Sequence, residues 1–295
     1  NYVVGANALW EGFLNRELVD KYYHPTKRNL KVLLYPFQGG EVQNPNIVKN
    51  IQKAMEKLGF ERTLLNGYGT SENGPGIATQ TPEIHTPGSS GIVLPGMNLR
   101  VVNEKGNLLK INEAGELQVH NPTSTMLGYF GDNEATDDYY IFDEDGVRWN
   151  KVGDYGYVDE NGEVYVLGRA DDFTFVEGKK IYNFMITSIL AADEEIKSVA
   201  TYTTNHKRGQ DAIVHVVLGE ESQVLQKTDS EYLENKVRQL QKLIFNEKED
   251  LDWVPENFKF YEAFPTHANT KRNVGKMIND MKGIVTVPKE WLLNV

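Results

Sequence analysis

Between Leu64 and Glu72 the chain reads Leu-Leu-Asn-Gly-Tyr-Gly-Thr-Ser-Glu, setting an amide, a flat aromatic ring, two hydroxyls and a carboxylate side by side. Those groups suit the gripping of a nucleotide. A purine needs a flat face and an edge contact, phosphate oxygens take hydroxyl donors, and a carboxylate is a hard oxygen ligand for Mg2+. Gly-Tyr-Gly turns also end ordinary strands with no ligand nearby, so the surrounding elements must decide.

Those elements form a recognisable unit. Lys31 to Leu34 reads as a buried strand, Phe37 to Glu41 as a loop, and Asn44-Pro45 as a helix cap followed by proline at the first helical position. Ile47, Ile51, Met55 and Leu58 recur at helical spacing before Gly59 ends the helix, and Thr63 to Asn66 returns as a second strand. Strand, helix, strand in that order builds a parallel sheet, whose ligands sit beyond the carboxyl ends of the strands. The glycine loops Gly39-Gly40 and Gly67-Tyr68-Gly69 fall at that edge.

With 31 Lys plus Arg against 42 Asp plus Glu in 295 residues, the formal charge is -11, which speaks against non-specific nucleic-acid binding. The absence of cysteine removes disulfides, thiolate catalysis and cysteine-ligated metals, and fits a cytoplasmic protein. No apolar run approaches the ~20 residues that span a bilayer. Asn1 to Leu14 carries buried-type residues with no cap or leader, so preceding sequence is expected. His24, His85, His120, His206, His215 and His267 lack His-Glu-x-x-His spacing, and no Gly-x-Ser-x-Gly elbow is present.

From Gly88 the texture changes to short apolar segments, Ile92 to Leu94, Leu99 to Val102, Leu117 to Val119 and Val164 to Leu167. Lys105-Gly106, Glu113-Ala114-Gly115, Glu144-Asp145-Gly146 and Glu160-Asn161-Gly162 separate them as hairpin connections, which predicts a largely antiparallel subdomain. Past the polar Arg169 to Asp172, Phe184 to Leu190 reads as helix, Ser198 to Tyr202 and Ala212 to Leu218 as strands, and Ser230 to Phe245 as an amphipathic helix, together a small α+β domain.

Several motifs then fall in one order. Asn66 to Glu72 is similar to the Asn-Gly-Tyr-Gly-x-Thr-Glu signature of the adenylate-forming superfamily, which holds acyl-CoA synthetases, nonribosomal peptide synthetase adenylation domains and luciferase-like enzymes. Gly88-Ser89-Ser90-Gly91 to Pro95-Gly96, Gly115-Glu116-Leu117 and Gly128-Tyr129 resemble its following glycine-marked segments. Lys151-Val152-Gly153-Asp154 is similar to its Thr-Gly-Asp motif, and Gly168-Arg169-Ala170-Asp171-Asp172 to its Gly-Arg-x-Asp hinge.

The resemblance covers nearly the whole chain and implies the later part of such an enzyme. Its fold would be α/β plus a β-rich subdomain plus an α+β lid. Residues 1–87 would end the α/β nucleotide- and acyl-binding subdomain, 88–170 form a distorted barrel, and 171–295 the carboxyl-terminal lid. The implied reaction joins a small carboxylic or amino acid to AMP from ATP, releases pyrophosphate, and passes the acyl group to CoA or to the phosphopantetheine arm of an acyl-carrier protein.

In that scheme Tyr68 stacks on adenine, Asn66 meets its exocyclic amine, and Gly39, Gly40, Glu41, Gly67, Gly69, Thr70 and Tyr165 line the nucleotide. Ser71 contacts the α-phosphate, Glu72 binds Mg2+, Asp154 accepts both ribose hydroxyls, and Arg169 adds a fixed cation. The family's carboxyl-terminal lysine is expected at Lys271, counted on from Phe264-Pro265-Thr266, with Lys276 as the alternative.

Three departures accompany the match. The family's Ser-Gly-Thr-Thr-Gly-x-Pro-Lys phosphate loop is nowhere in the sequence and is expected upstream. The segment Asp172 to Asn183 keeps Gly178 but places Phe175 and Glu177 where cations are expected, and Val152 replaces a threonine. Altered residues in the first of these segments would also suit an inert adenylate-binding relative. Retention of Tyr68, Glu72, Asp154 and Arg169 together argues for an enzyme.

Overall fold

A computed structural model gives the architecture, and it describes residues 2–5, 10, 35–40, 45–60, 62–74, 76–203, 212–229, 231–266 and 272–294. The chain divides into two compact units, Asn1–Ala170 and Asp171–Val295.

The first unit opens with β1 (Tyr2–Gly5) and β2 (Tyr35–Gly39), paired in parallel. Helix α1 (Pro45–Lys57) follows, burying Ile51 and Met55 against Trp10, Phe60 and Leu64. Gly59, at φ 88°, ends the helical segment in a left-handed conformation that favours glycine. Strand β3 (Leu65–Tyr68) then lies parallel to β2, and β4 (Ala78–Thr79) and β5 (Ile92–Val93) extend the sheet antiparallel.

Both strands extend beyond the ends that the sequence reading gave them. Phe37 to Gly39 belong to β2 and Gly67-Tyr68 to β3, because Gly39 pairs with Gly67 and a Cβ on Gly39 would stand 2.9 Å from the Gly67 carbonyl oxygen. The glycines allow close strand approach rather than loosening a turn. Expected strand 31–34 lies outside the described residues. The sheet also runs past residue 87, where a junction was expected. Gly91 turns at φ 78° with no room for a Cβ beside the Thr79 carbonyl, which brings β5 back onto β4.

An antiparallel sheet follows, in the order β10-β9-β7-β6, from β6 (Asn98–Val102), β7 (Gly115–His120), β9 (Arg148–Val158) and β10 (Val164–Arg169). Helix α2 (Asn133–Tyr139), capped by the Asp132 carboxylate on the Ala135 amide, leads into β8 (Tyr140–Phe142), which pairs with β9. Alternate residues Asn150, Val152, Asp154 and Gly156 of β9 are buried, so this face carries both core and polar groups. Gly115 starts β7 rather than closing a hairpin turn. A Cβ there would stand 2.3 Å from the Val102 carbonyl oxygen of the neighbouring strand.

The second unit begins with the hairpin β11 (Phe173–Val176) and β12 (Lys179–Tyr182). Its Glu177-Gly178 turn has positive φ at both residues, 49° and 79°, the twist a two-residue hairpin favours. Gly178 is retained for that turn. The Lys180 ammonium lies over the Phe173 and Tyr182 rings at 4.3 and 4.9 Å. Helix α3 (Asn183–Leu190) precedes β13 (Ile196–Thr203) and β14 (Ala212–Leu218), with α4 (Glu220–Thr228), α5 (Tyr232–Lys248), β15 (Asn257–Tyr261), α6 (Val274–Asn279) and β16 (Ile284–Thr286) after them. The sheet order is β13-β14-β15-β16, and only β14 and β15 run parallel. Every residue of β14 from Ile213 to Leu218 is buried, as a strand covered on both faces requires. Val237, Leu240 and Ile244 of α5 pack with Val214, Val216 and Phe258 in this unit's core.

Among the described residues no helix is long and apolar enough to cross a membrane.

Candidate functional site

Strand β3 delivers the ring of Tyr68, only 9 % exposed, into a cluster with Ile77, Val101, Leu117, Val119 and Val152. Its hydroxyl emerges at Asp154 on β9 and donates to Oδ2 at 2.7 Å. Burial, then the neighbouring carboxylate, holds the Tyr68 phenol well above its ordinary pKa, so it stays a proton donor at neutral pH. Arg169 reaches the other carboxylate oxygen from β10, its register partner, with Nη1 3.2 Å from Oδ1 and 3.1 Å from the Val152 carbonyl oxygen. One carboxylate is therefore held by a phenol on one oxygen and a guanidinium on the other.

Gly153 makes this arrangement possible. Its φ is 72°, and a Cβ there would stand 2.6 Å from Arg169 Nη2, so the guanidinium lies where a side chain would be. The Ala170 amide donates to the Gly153 carbonyl and closes the end of the hairpin. Val152, found where a threonine was expected, contributes an apolar side chain to the core and a carbonyl to Arg169.

Beyond β3, Thr70 precedes a single 3-10 turn, Ser71–Asn73. Ser71 is exposed and Glu72 half-buried. The Tyr129 hydroxyl donates to Glu72 Oε1 at 3.0 Å, and burial followed by that bond raises the Tyr129 pKa. Among the described residues no group of three or more His, Cys, Asp or Glu side chains forms a metal cage. Glu72 nevertheless fits Mg2+, which commonly takes one or two protein carboxylates and completes its shell with nucleotide phosphates and water. Tyr129 and Gly153 also line an open cleft of ≈ 470 Å³ with Glu116, Ala135, Asp138, Tyr139 and Lys151.

The remaining expected residues divide. Gly39, Gly40, Gly67 and Gly69 stand at the carboxyl ends of β2 and β3, where the Phe37 ring fills the space a Gly67 Cβ would need. The Asn66 amide nitrogen is engaged within the protein. The residue is 4 % exposed, with Nδ2 bonded to the Ser89 carbonyl at 2.9 Å and to Ser90 Oγ at 3.3 Å, and its Oδ1 is enclosed without a partner. Its place is to tie β3 to the segment between β4 and β5.

Tyr165 also stands apart. It pairs with Tyr157, not Asp154, and the two rings stack at 4.7 Å. Burial, then Glu163, pushes its pKa up to about 12. Glu41 and Lys271 lie outside the described residues. Lys276 is on α6, whose amino end is capped by Asn273 Oδ1 on the Lys276 amide. The sequence reading missed Tyr129 and Asn73 as groups bracing the Ser71–Asn73 turn. Gly128-Tyr129 was visible only as a glycine-marked segment, and no spacing links it to residue 72.

Comparison with known proteins completes the assignment. Residues 1–130 match the model of the AMP-binding enzyme family. A long-chain-fatty-acid–CoA ligase of Yersinia pestis is 28 % identical over 222 residues, covering 75 % of this chain and 36 % of its own. A 4-coumarate–CoA ligase-like protein of Arabidopsis thaliana is 31 % identical over 158 residues, 52 % of this chain and 27 % of its own. The amide bond synthetase McbA of Marinactinospora thermotolerans shares the fold at a TM-score of 0.72 and 23 % identity, over 94 % of this chain and 51 % of that one. The chain thus spans about half the length of that solved structure and about a third of those curated relatives. The motif order and the Tyr68–Asp154–Arg169 cluster agree with these likenesses: the chain is similar to AMP-binding enzymes over residues 1–130, to CoA ligases over up to three quarters of its length, and in fold to a synthetase of the adenylate-forming kind.

Proposed function

We propose that this chain carries the nucleoside-holding part of an ATP-dependent acid–thiol ligase. The observation that carries the reading is the convergence of Tyr68, Asp154 and Arg169, from three strands, on one carboxylate. A ribose diol donating to the Asp154 carboxylate would lie beside the carboxyl end of β3. Ser71 and Glu72 stand next along the chain, suited to the α-phosphate and to Mg2+. The cation, when bound, offsets phosphate charge. The protein's own share is to bind and orient the nucleotide.

In this reading an acid's carboxylate oxygen bonds to the α-phosphorus and the bond to pyrophosphate breaks, giving an acyl-adenylate. A thiol, of CoA or of a carrier-protein arm, then attacks the acyl carbon and AMP leaves. Lys271 supplies the positive charge that stabilises the first transition state. Relatives named as CoA ligases support a carboxylic acid as substrate and CoA as acceptor.

Pyrophosphate exchange and acyl-adenylate analogue calorimetry on the full protein test this. Exchange should collapse in Lys271→Ala and survive Lys276→Ala, and the reverse result reassigns the lysine. Native protein that binds no acyl-adenylate analogue would overturn the ligase reading.

A further inference from the structure

The turn that bears Ser71 and Glu72 is pinned by a polar network centred on Asn73, a side chain with no exposed surface. Its Nδ2 donates to Thr70 Oγ1 at 3.1 Å and to the Tyr139 hydroxyl at 2.7 Å. Its Oδ1 accepts from Asn150 Nδ2 at 2.6 Å. Its backbone carbonyl accepts from Asn121 Nδ2 at 2.7 Å and Ser124 Oγ at 3.1 Å. The Glu72 carbonyl accepts from the Met126 amide at 2.7 Å. A loop, the end of α2 and strand β9 thus all meet one three-residue turn.

Packing alone does not call for this. An apolar side chain would fill the same space without burying amides, whose desolvation is offset only when every bond is made. Asn150 underlines the point, because both its bonds, to Asn73 and to Thr125 Oγ1 at 2.9 Å, run through Nδ2 while its Oδ1 is buried without a partner. An unsatisfied buried acceptor is uncommon. Here it accompanies donors aimed at Asn73. Asparagine alone has two donors and an acceptor at this reach, since aspartate lacks the donors and glutamine is longer. The same elements brace Glu72 directly, for Tyr129 bonds its carboxylate and packs edge-on against Tyr139 at 6.1 Å.

We propose that Asn73 is a positioning residue that sets the Ser71-Glu72 turn for the cation and phosphate end of the nucleotide, with Asn150 and Tyr139 holding it. The proposal rests on the ligase reading, and separates the two ends of the ligand. Asp154, held by Tyr68 of β3 and Arg169 of β10, would serve the nucleoside end.

The test measures AMP affinity without metal, the Mg2+ midpoint for ATP binding, and thermal unfolding, in the full native protein and in Asn73→Ala, Asn150→Ala and Tyr139→Phe. Asn73→Ala should raise the Mg2+ midpoint about tenfold, the equivalent of ~1.4 kcal/mol, while AMP affinity stays within about twofold. Tyr139→Phe, which keeps the ring and removes one acceptor, should move the midpoint in the same direction by a smaller factor and decides the matter if Asn73→Ala fails to fold. An unchanged midpoint with a lowered melting temperature, or an equal loss of AMP and Mg2+-ATP affinity, overturns the proposal alone. Native protein that binds no AMP overturns the ligase reading and the proposal with it.

Discussion

Replacing Tyr68 with phenylalanine asks whether the phenol prepares Asp154 for the sugar or competes with it. The substitution keeps the ring among Ile77, Leu117 and Val152 and removes only the donor 2.7 Å from Oδ2. A hydrogen bond to a charged group is worth about 1.5–3 kcal/mol. If half of that fixes the carboxylate for the diol, AMP binding weakens by about 1 kcal/mol, roughly five- to tenfold. The rest appears as lost stability. The assay is calorimetric titration of AMP and of 2′,3′-dideoxy-AMP into both proteins, with melting temperatures measured alongside.

Loss of the sugar hydroxyls should weaken binding to the native protein more than to Tyr68→Phe, because an unfixed carboxylate gains less from them. Tighter AMP binding by the variant would show that the phenol occupies an acceptor the ribose needs. An identical AMP to dideoxy-AMP ratio in both proteins would refute the linkage between Tyr68 and the diol outright.

Other perturbations have equally definite signs. Gly153→Ala should lower AMP affinity at least tenfold and stability by about 1 kcal/mol, read by titration and urea unfolding, since a Cβ at φ 72° stands where the Arg169 guanidinium lies. Lys236→Ala should destabilise by about 3–5 kcal/mol in urea, because it strands the buried Asp193 carboxylate 2.9 Å from the lost ammonium. His215 is fully buried, and burial, then the Lys259 charge, lowers its pKa from 6.5 to about 4. As pH falls through that window the unfolded chain takes the proton first, so stability present above pH 6.5 is lost by about 3 kcal/mol towards pH 4, a slope that His215→Phe should remove from the urea midpoint.

The sequence exposed what depends on chain-local rules. Helix α1 was readable because its cap, its apolar spacing and its terminating glycine lie within one short window. The hairpin at Glu160-Asn161-Gly162 was readable for the same reason. The nucleotide cluster was legible as residue types in family order, and its Tyr68–Asp154 contact joins residues 86 apart. What misled the reading was glycine. Gly39 and Gly67 suggested loops by composition, yet a paired strand edge also selects glycine when two backbones approach closely. Asn66 misled because an amide beside a glycine run resembles a ligand contact, whereas Ser89 and Ser90, far along the chain, claim it. Asn73 was invisible because its partners are spread over Thr70, Asn121, Asn150 and Tyr139, and no spacing announces them.

The position of Arg169 bears on how an expected hinge near Asp171 would work. Arg169 ends β10, and the Ala170 amide bonds the Gly153 carbonyl, so the hairpin stays fastened up to the last residue of the first unit. The guanidinium that bonds Asp154 and the glycine that makes room for it both lie before that fastening. A backbone rotation beginning at Asp171 therefore need not disturb these contacts. The residues altered from the family pattern, Phe175 and Glu177, lie after it, on the β11–β12 hairpin. On this arrangement the contacts to the Asp154 carboxylate and the altered hairpin occupy separate stretches of the chain. Substitutions in the hairpin are therefore expected to leave AMP affinity, read by calorimetric titration, unaltered.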